Sequence, residues 1–379
     1  METSPVRVVR IDAKPSGWRR TWARLNREAG RSLPIRVASA GLNLAFGCTA
    51  DESAWISEAA RRGREEIERA AVPVGHVFSR LNPVASHLAA ESIVRDHEGL
   101  AWTAYFSDPW PFFLYPPPYQ SRSGRLYRWR ALSVVRRICA RADSILFPSR
   151  RLADALGPTY EIREERVFIA PHMGPARESA EGQGATGRRG ASGEALVIRH
   201  AGFLMKERRV DGLFSALLDL AEADRRDLRV EFMGRRAKGI EIPPELDDVV
   251  TFLTPRPPDE ARAWMAEADV ALLVEADCAE GIFLPSKFAE YVVDGYPLLC
   301  LSPERGTIAD YLEDGDGARV SPTDVRGIAE ALRVLLAAKR SGRLGEFAPS
   351  PALQRTFRPE VVGGQVEQAL AAALQRRPR

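Results

Sequence analysis

The sequence has no run of about 20 apolar residues, so no segment is predicted to cross a bilayer as a helix. The N-terminus, METSPVRVVRID, lacks the basic-then-apolar layout of a secretory signal. The four cysteines and five histidines are scattered, without CxxC spacing and without a pair placed to bind a metal. These absences argue against a disulfide scaffold, and they predict a cytoplasmic protein with free thiols and no metal site.

The composition is that of an ordinary globular protein, with 45% hydrophobic and 28% charged residues in a chain of 379. This length is sufficient for two domains, each with its own core. Residues 1–172 carry 26 Lys and Arg against 18 Asp and Glu, whereas the remainder carries 28 against 33. The imbalance indicates either two domains with different partners or arginine-rich helices with solvated faces.

The second half of the chain alternates apolar strands with amphipathic helices, which is typical of a parallel sheet covered on both faces. Its predicted strands include LVIRHAG, LRVEFMG, VVTFLT, DVALLVE and PLLCLS. The first half shows the same alternation less regularly, beginning with a predicted strand at VRVVRIDA (6–13). The alternation predicts an α/β fold of two Rossmann-like domains.

The two domains are predicted to be separated by a linker. Residues 173–194 are small, polar and glycine-rich without apolar periodicity, which indicates a flexible segment. The resulting division places one domain at 1–172, the linker at 173–194 and a second domain at 195–345. Residues 346–379 form a tail that contains a further helix.

The end of the strand DVALLVE is a candidate ligand site, because open α/β sheets bind ligands at the carboxyl ends of their strands. A helix is predicted to begin near Ser286, which places Lys287 beside free backbone N–H groups in an anion site. Glu290 lies one turn further and is placed to accept hydrogen bonds from the vicinal hydroxyls of a ribose. The pair therefore indicates a nucleotide diphosphate, although its spacing also suits a simple surface ion pair.

A second basic turn follows the strand LVIRHAG. The strand ends in Gly202, and the loop FLMKERR then presents Lys206, Arg208 and Arg209. A glycine at a strand end lets a phosphate approach the backbone, and the cations neutralise it. Two basic turns at the carboxyl ends of strands in one domain suit the binding of a doubly negative leaving group such as a diphosphate.

Several segments of the second half resemble a known family. HAGFLMKERRVDGLFSAL, VEFMG, ADVALLVE, PSKFAEYVVDGYPLL and DGARVSPTDVRGIAEAL occur in this order over about residues 195–340. They resemble the nucleotide-sugar domain of GT-B glycosyltransferases of the family 4 type. Residues 74–172 resemble the acceptor domain of that family more loosely, through FSDPW and ADSILFPSRRLADAL.

The resemblance implies two Rossmann-like domains with a cleft between them and a glycosyltransferase of the hexosyltransferase class. Members of the family take a nucleotide-diphosphate sugar as donor, usually retain anomeric configuration and need no metal or other cofactor. They build capsule, cell-wall or secreted-product glycans on hydroxyl acceptors. The tail, by the same resemblance, crosses back to brace the first domain.

The resemblance also implies roles for individual residues. Gly202 matches the family's glycine after the first strand of the donor domain, and Arg208 falls where these enzymes place a basic residue on the diphosphate. Lys287 and Glu290 match the PxK-x-x-E segment, in which the glutamate holds the ribose. Ser286, at the start of the same helix, is included among the donor-binding residues.

Three features depart from the family pattern. Phe203 stands where the family often carries an arginine, and it is included as a donor-binding candidate. Ile282 stands where many members have a second glutamate, with Glu280 as a nearby substitute. The chain also opens at what resembles the third strand of the first domain, VRVVRIDA. The preceding strand-turn-helix unit is therefore expected to be absent, either because a smaller first domain forms without it or because the start of this chain is late. The donor sugar is therefore left open.

The acceptor side offers Asp108, which follows the predicted strand AWTAYFS. A carboxylate at this strand end is placed to orient or deprotonate an acceptor hydroxyl. It also suits a cap of the turn before Pro109. The aromatic, proline-rich segment that follows is consistent with an apolar wall for a ligand, a lid or a packing plug.

A basic helix is predicted at 122–142, RSGRLYRWRALSVVRRICARA. Its arginines and aromatics suit peripheral contact with an anionic membrane at the inner face, and hence an acceptor carried on a lipid. An ordinary covering helix with a solvated arginine face explains the same pattern. Nucleic acid is not expected as a partner, because no groove-reading or stacking motif accompanies the charge.

The sequence thus predicts a glycosyltransferase that moves a sugar from a nucleotide-diphosphate sugar to the hydroxyl of a polysaccharide, lipid-linked or natural-product acceptor. Two alternatives remain. A nucleotide-sugar 2-epimerase uses the same architecture, and an inactive homologue that binds the donor could act as a partner protein.

Overall fold

The protein is described by a computed structural model that covers residues 8–30, 32–46, 48–176, 195–313 and 315–377. Within these residues the chain forms two parallel sheets, one of four strands and one of six. Helices connect successive strands in both. The two parallel sheets confirm the predicted α/β fold class. Every helix in the described part is too short or too polar to cross a membrane.

Among the described residues, helices rather than a strand open the chain. They are α1 (Trp18–Glu28), α2 (Leu33–Phe46) and α3 (Ala50–Arg69). The strand predicted at 6–13 is wrong for its described part, because residues 8–13 have no regular structure. Val8 and Val9 are exposed, so no core covers these two side chains, and residues 8–13 pair with no strand among the described parts of the chain.

The first lobe is defined here as the four-stranded sheet with its helices. The strands lie in chain order, and all of their pairings are parallel. The strands are β1 (His76–Arg80), β2 (Ala101–Tyr105), β3 (Ser144–Phe147) and β4 (Val167–Ile169), connected by α4 (Ala85–Arg95), α5 (Arg125–Arg141) and α6 (Arg150–Tyr160). β2 and β3 are buried along their whole length, as their apolar runs predict.

The second lobe is the six-stranded sheet with its helices. Its spatial order is β10-β9-β8-β5-β6-β7, and all pairings are parallel. The strands are β5 (Leu196–Ala201), β6 (Leu228–Met233), β7 (Val250–Leu253), β8 (Val270–Val274), β9 (Leu298–Leu301) and β10 (Ala318–Val320). The helices are α7 (Asp211–Leu218), α8 (Glu222–Arg226), α9 (Pro258–Ala266), α10 (Ser286–Val293), α11 (Thr307–Tyr311), α12 (Val325–Arg340) and α13 (Pro351–Thr356).

The strand order of the second lobe contains a topological switch point. The chain adds β6 and β7 on one side of β5, then crosses to the other side and adds β8, β9 and β10. Helices that follow β5 and β8 therefore leave the sheet in opposite directions, and a crevice opens between the carboxyl ends of these two strands. Open α/β sheets bind ligands in such a crevice.

The last helix, α14 (Pro359–Gln375), returns to the first lobe. Val362 and Ala369 pack with Tyr105 and Leu146 in one buried cluster. At its end, Arg377 Nε donates to both carboxylate oxygens of Asp143 at 3.0 Å. The tail thus covers one face of the first sheet. The domain boundaries remain predictions, and most of the predicted linker, 177–194, lies outside the described residues.

Candidate functional site

A cavity of about 820 Å³ lies at the carboxyl ends of β5 and β6, on the side of the sheet where α10 begins. Gly202 and Phe203 line it from the loop after β5. Lys287 and Glu290 line it from α10. Four of the residues that the sequence predicts to bind a donor therefore share one cavity.

Two glycines form the floor between β5 and β6. Gly202 N donates to Met233 O at 2.9 Å, and Gly234 adopts a φ of 148° directly against Gly202. A Cβ on Gly234 would lie 2.0 Å from Gly202 O. The two strand ends can approach this closely because Gly234 has no side chain. The backbone of the floor is consequently open to a ligand.

The first turn of α10 carries the anion-binding groups. The helix begins at Ser286 after Pro285, and no described side chain caps it, so its first N–H groups are left for a ligand. Lys287 Nζ lies 2.6 Å from Glu290 Oε2, and each side chain is 39% exposed. Without a ligand the two residues thus form the surface ion pair that their spacing also suits.

Arg208 and His200 lie near the switch point, close to the first turn of α10. Arg208 is half-buried in the loop after β5, and its Nε lies 3.4 Å from the hydroxyl of Tyr119 of the first lobe. Burial, together with the positive charges of Arg208 and Lys287, lowers the pKa of His200 to about 4, against the opposing effect of its hydrogen bond to the Leu272 carbonyl. His200 is therefore neutral at physiological pH. Lys287 lines the cavity beside α10, whereas Arg208 does not line it and instead contacts Tyr119.

Sequence reasoning missed Glu275, the residue that follows β8. Its side chain is only 6% exposed, and burial raises its pKa to about 7 although Arg208 opposes the shift. The signal was available, because a carboxyl directly after the apolar run DVALLV must end at the carboxyl edge of the sheet. Glu275 is thus a buried proton-binding group at the end of β8 that interacts electrostatically with Arg208 and does not line the cavity beside α10.

Glu280 is positioned elsewhere. It does not line the cavity, and its carboxylate pairs with Arg151 at the start of α6 in the first lobe. Arg151 Nη2 also donates to Asp310 Oδ1 at 2.6 Å. Ile282 packs into the core of the first lobe, and Ser149 Oγ donates to its carbonyl at 3.1 Å. The loop before α10 is thus held by the first lobe.

The aromatic segment after Asp108 lies between the lobes. Tyr115 and Tyr119 pack against Phe283 of the loop before α10, with ring centroids 5.5 Å and 5.4 Å apart. Of the sequence-based alternatives for this segment, these contacts correspond to a packing plug that joins the lobes. Through Tyr119 the segment also contacts Arg208.

Asp108 itself follows β2 at the carboxyl end of the first sheet. Its Oδ2 accepts hydrogen bonds from Asn82 Nδ2 at 3.2 Å and from Ser107 Oγ at 3.0 Å. These bonds orient the carboxylate and leave Oδ1 for a further partner. Asp108 does not line the donor cavity, so the structure does not bring it together with Lys287 and Glu290.

A second polar group near the first sheet was not predicted. The hydroxyl of Tyr105 lies 3.3 Å from His172 Nδ1, and the guanidinium of Arg80 lies 5.5 Å from the centre of the Tyr105 ring. Burial lowers the pKa of His172 to about 4, with Arg80 adding to the effect. Because Tyr105 and Arg80 end β2 and β1, these groups extend the polar carboxyl edge of the first sheet.

The predicted basic helix corresponds to α5. Its later half is a covering helix, with Val135 and Ile138 fully buried. Its opening half presents Leu126 and Trp129 to solvent, 61% and 66% exposed, among exposed arginines. The later half therefore matches the interpretation as a covering helix, and the opening half carries the exposed apolar and basic side chains on which the membrane interpretation rests. Contact with a membrane remains a prediction.

Two further cavities, of about 730 and 1050 Å³, lie at the amino ends of the first-lobe strands beside the end of α14. Arg377 lines both of them, and Asp143 lines the first. They face away from the carboxyl edges where both sheets present their loops. We therefore assign the candidate site to the cavity beside α10.

The chain is similar to several solved structures. HepE from Anabaena in complex with UDP and glucose has a TM-score of 0.58 and 12% identity, over 95% of this chain and 97% of that one. Sucrose-phosphate synthase from Thermosynechococcus elongatus has a TM-score of 0.56 and 16% identity, over 84% and 78%. A glycosyltransferase from Rickettsia africae has a TM-score of 0.55 and 11% identity, over 85% and 82%.

The likeness to these structures confirms the predicted GT-B fold of two Rossmann-like domains. At identities of 11–16% it shows the fold alone. The sequence matches no protein-family model and no curated protein. Membership of family 4 therefore remains a prediction, and function must be argued from the site.

Proposed function

We propose that the protein is a glycosyltransferase that moves a sugar from a nucleotide-diphosphate sugar to a hydroxyl acceptor. The observation that supports this most is that Gly202, Lys287 and Glu290 line one cavity at the switch point of the second sheet. The fold adds support, since HepE is solved with UDP-glucose and with UDP and glucose.

In this proposal the donor replaces the internal ion pair of α10. The diphosphate takes Lys287 and the first N–H groups of the helix, while the ribose hydroxyls donate to Glu290. The ion pair holds both side chains at the cavity wall beforehand, since Nζ and Oε2 are only 2.6 Å apart. Breaking it costs little, because exposed pairs contribute only about 0.2–1 kcal/mol.

Bond cleavage is assigned to electrostatic stabilisation of the leaving diphosphate. Arg208 and Lys287 supply positive charge, and the amino end of α10 supplies aligned N–H groups. Protein groups alone balance the charge in this scheme, with no metal or other cofactor. Retention of anomeric configuration is part of the proposal through the family resemblance.

On the acceptor side we assign Asp108 to orient or deprotonate the attacking hydroxyl. The bonds from Asn82 and Ser107 to Oδ2 hold its carboxylate in one orientation. Arg80, Tyr105 and His172 lie along the same sheet edge and are available for further acceptor contacts.

We further propose that the opening half of α5 contacts an anionic membrane and that the acceptor is lipid-linked. Exposed Leu126 and Trp129 beside Arg125 and Arg128 provide apolar area together with positive charge. Sedimentation with phosphatidylglycerol vesicles tests this: Trp129→Ala and Arg128→Ala should each weaken binding, and equal binding to phosphatidylcholine vesicles would contradict it.

The donor site is tested by calorimetric titration of UDP and GDP. Lys287→Ala and Glu290→Ala should each weaken binding of the preferred nucleotide at least about tenfold, because each removes a charge-assisted contact. Arg333→Ala is the matched control, since Arg333 forms an i,i+3 pair with Glu330 on α12 away from the cavity. Unchanged nucleotide affinity in both Lys287→Ala and Glu290→Ala would show that the nucleotide does not bind in this cavity.

Product analysis then separates the alternative functions. A transferase consumes UDP-sugar or GDP-sugar in proportion to acceptor, whereas a 2-epimerase converts the donor without acceptor. An inactive homologue binds the nucleotide and produces neither product. Asp108→Asn should lower transfer without weakening nucleotide binding, because Asp108 lies outside the donor cavity.

A further inference from the structure

The donor cavity has an arginine-rich end that none of the roles above uses. Among its described lining residues are Arg235 after β6, Arg256 after β7, and Arg262 in α9. Lys287 and Glu290 line the cavity from α10, the helix that follows β8. The strand order β8-β5-β6-β7 therefore separates the two groups: α10 supplies one end of the cavity, and the β6 and β7 loops supply the other.

The guanidinium groups at this end are held only loosely. In the part of the chain that the structure describes, Arg235 has no carboxylate within ion-pair distance of its side chain. Arg256 Nη1 lies 3.9 Å from Glu260 Oε2, and Arg262 Nη2 lies 3.5 Å from Asp259 Oδ1, both at or beyond hydrogen-bonding range. Arg235 and Arg256 thus keep most of their N–H donors for another acceptor.

The position of this end of the cavity indicates which part of the nucleotide supplies the hydrogen-bond acceptor for these arginines. With the diphosphate at Lys287 and the ribose at Glu290, the next part of a nucleotide is its base. The wall there is otherwise apolar, with Pro255 and Met233 beside the arginines, which suits the faces of a flat ring. The donors of the arginines are then available to the polar edge of that ring.

Guanidinium discriminates between bases because it only donates hydrogen bonds. Uracil presents the O4 acceptor at the edge remote from the sugar, and guanine presents O6 and N7. Cytosine presents the N4 amino donor at the corresponding position, and adenine presents the N6 amino donor beside N7, so that adenine has one acceptor where guanine has two. An arginine that faces this edge can therefore donate a hydrogen bond to the carbonyl of a keto base. With an amino base it places one hydrogen-bond donor against another, which is unfavourable.

We propose that Arg235 and Arg256 bind the edge of the nucleotide base, so that the donor carries a keto base, uracil or guanine, and not an amino base. The inference rests on the proposed function, because it takes the diphosphate and ribose positions from it. It adds the chemical class of the base, which the fold does not determine.

The test compares matched nucleotides by calorimetry at one salt concentration. UDP and CDP differ at the C4 substituent, and GDP and ADP form the corresponding purine pair. The wild type should bind UDP over CDP, or GDP over ADP, by at least about tenfold. In the double variant Arg235→Gln/Arg256→Gln the preference should fall to within about twofold, mainly because the keto nucleotide binds more weakly.

Inorganic pyrophosphate and a neighbouring arginine provide the controls. Pyrophosphate affinity should be the same in the wild type and the double variant, because the two arginines contact the base and not the phosphates. Arg236→Gln should retain the full base preference, since the Arg236 guanidinium lies over the Phe252 ring at 4.7 Å and the residue does not line the cavity.

The outcomes separate the two proposals. If none of the four nucleotides binds, the proposed function fails and the base inference fails with it. If all four bind equally, or an amino nucleotide binds best, the donor site stands and the base inference is wrong. A preference that persists in the double variant, or a matching loss of pyrophosphate affinity, also overturns the assignment of Arg235 and Arg256.

Discussion

Among the carboxyl groups in the described part of the second lobe, Glu275 has the most strongly shifted pKa. It follows β8, where burial disfavours its charged form more than Arg208 favours it. Glu275 at the end of β8 therefore interacts electrostatically with Arg208, and Arg208 contacts Tyr119 of the first lobe.

The protonation of Glu275 should appear in the pH dependence of stability. The unfolded chain releases this proton near the ordinary pKa of 4.5, whereas the folded protein retains it to about pH 7. The free energy of unfolding therefore falls as pH rises through this range, by on the order of 3 kcal/mol from this group. In the Glu275→Gln variant this pH-dependent decrease in the free energy of unfolding should be absent, because glutamine does not titrate.

Urea unfolding of both proteins at pH 5 and pH 8 measures the effect. The wild type should lose stability relative to Glu275→Gln on going to pH 8. The buried histidines titrate in both proteins, so their effect cancels in the difference. A difference between the two proteins that is equal at both pH values would contradict the raised pKa.

The close contact between Gly234 and Gly202 leads to a prediction for single-residue substitutions. Gly234→Ala should destabilise the protein by about 3 kcal/mol or more, because its Cβ would lie 2.0 Å from Gly202 O at a φ that alanine rarely adopts. Gly239→Ala is the control, with a φ of 85° but no atom within 4 Å of the added Cβ. It should cost only about 1 kcal/mol, as measured by thermal unfolding.

At the scale of elements, the sequence predicts the second lobe well because its strands are continuous apolar runs between helices of clear periodicity. DVALLVE and DVRGIAEALRVLLAAKR, for example, correspond to β8 and α12. VRVVRIDA has an equally strand-like alternation, yet its described residues, 8–13, pair with no other strand in the part of the chain that the structure describes. Pairing is a property of the whole sheet, so local alternation cannot decide it.

The candidate site was predictable to the extent that it is local in sequence. Gly202, Lys287 and Glu290 follow strands or open a helix, and parallel topology brings such positions to one edge. The pairing of Glu280 with Arg151 was not predictable, because those residues are 129 positions apart and belong to different lobes. Likewise, nothing near Ile282 in the sequence indicates burial against the first lobe.

Ser149 combines a local role with a distant one. Its Oγ accepts from Leu152 N at 3.1 Å as the cap of α6 and donates to Ile282 O across the lobes. Ser149→Ala should therefore cost about 2–3 kcal/mol, since a buried carbonyl loses its partner together with the cap. Ser350→Ala removes a cap alone, at the start of α13, and should cost about 1 kcal/mol in the same denaturation experiment.

At the scale of the whole molecule, contacts from α6 hold the loop that leads into α10. Arg151 binds Asp310 and Glu280 of the second lobe, whereas its neighbour Arg150 pairs with Glu164 inside the first lobe. Arg151→Ala should accelerate amide hydrogen exchange in residues 276–285, because the loop loses its ion pairs. Arg150→Ala should leave that exchange unchanged, and equal acceleration in both variants would assign the effect to α6 itself.

The return of α14 to the first lobe has a consequence for synthesis. The helix that covers Tyr105 and Leu146 is synthesised after the entire six-stranded sheet. The first lobe of a nascent chain therefore emerges with this apolar patch uncovered, and the patch stays exposed to solvent until α14 has also emerged. Chaperone occupancy on ribosome-bound chains should persist while the second lobe is being synthesised and fall once α14 has left the ribosome.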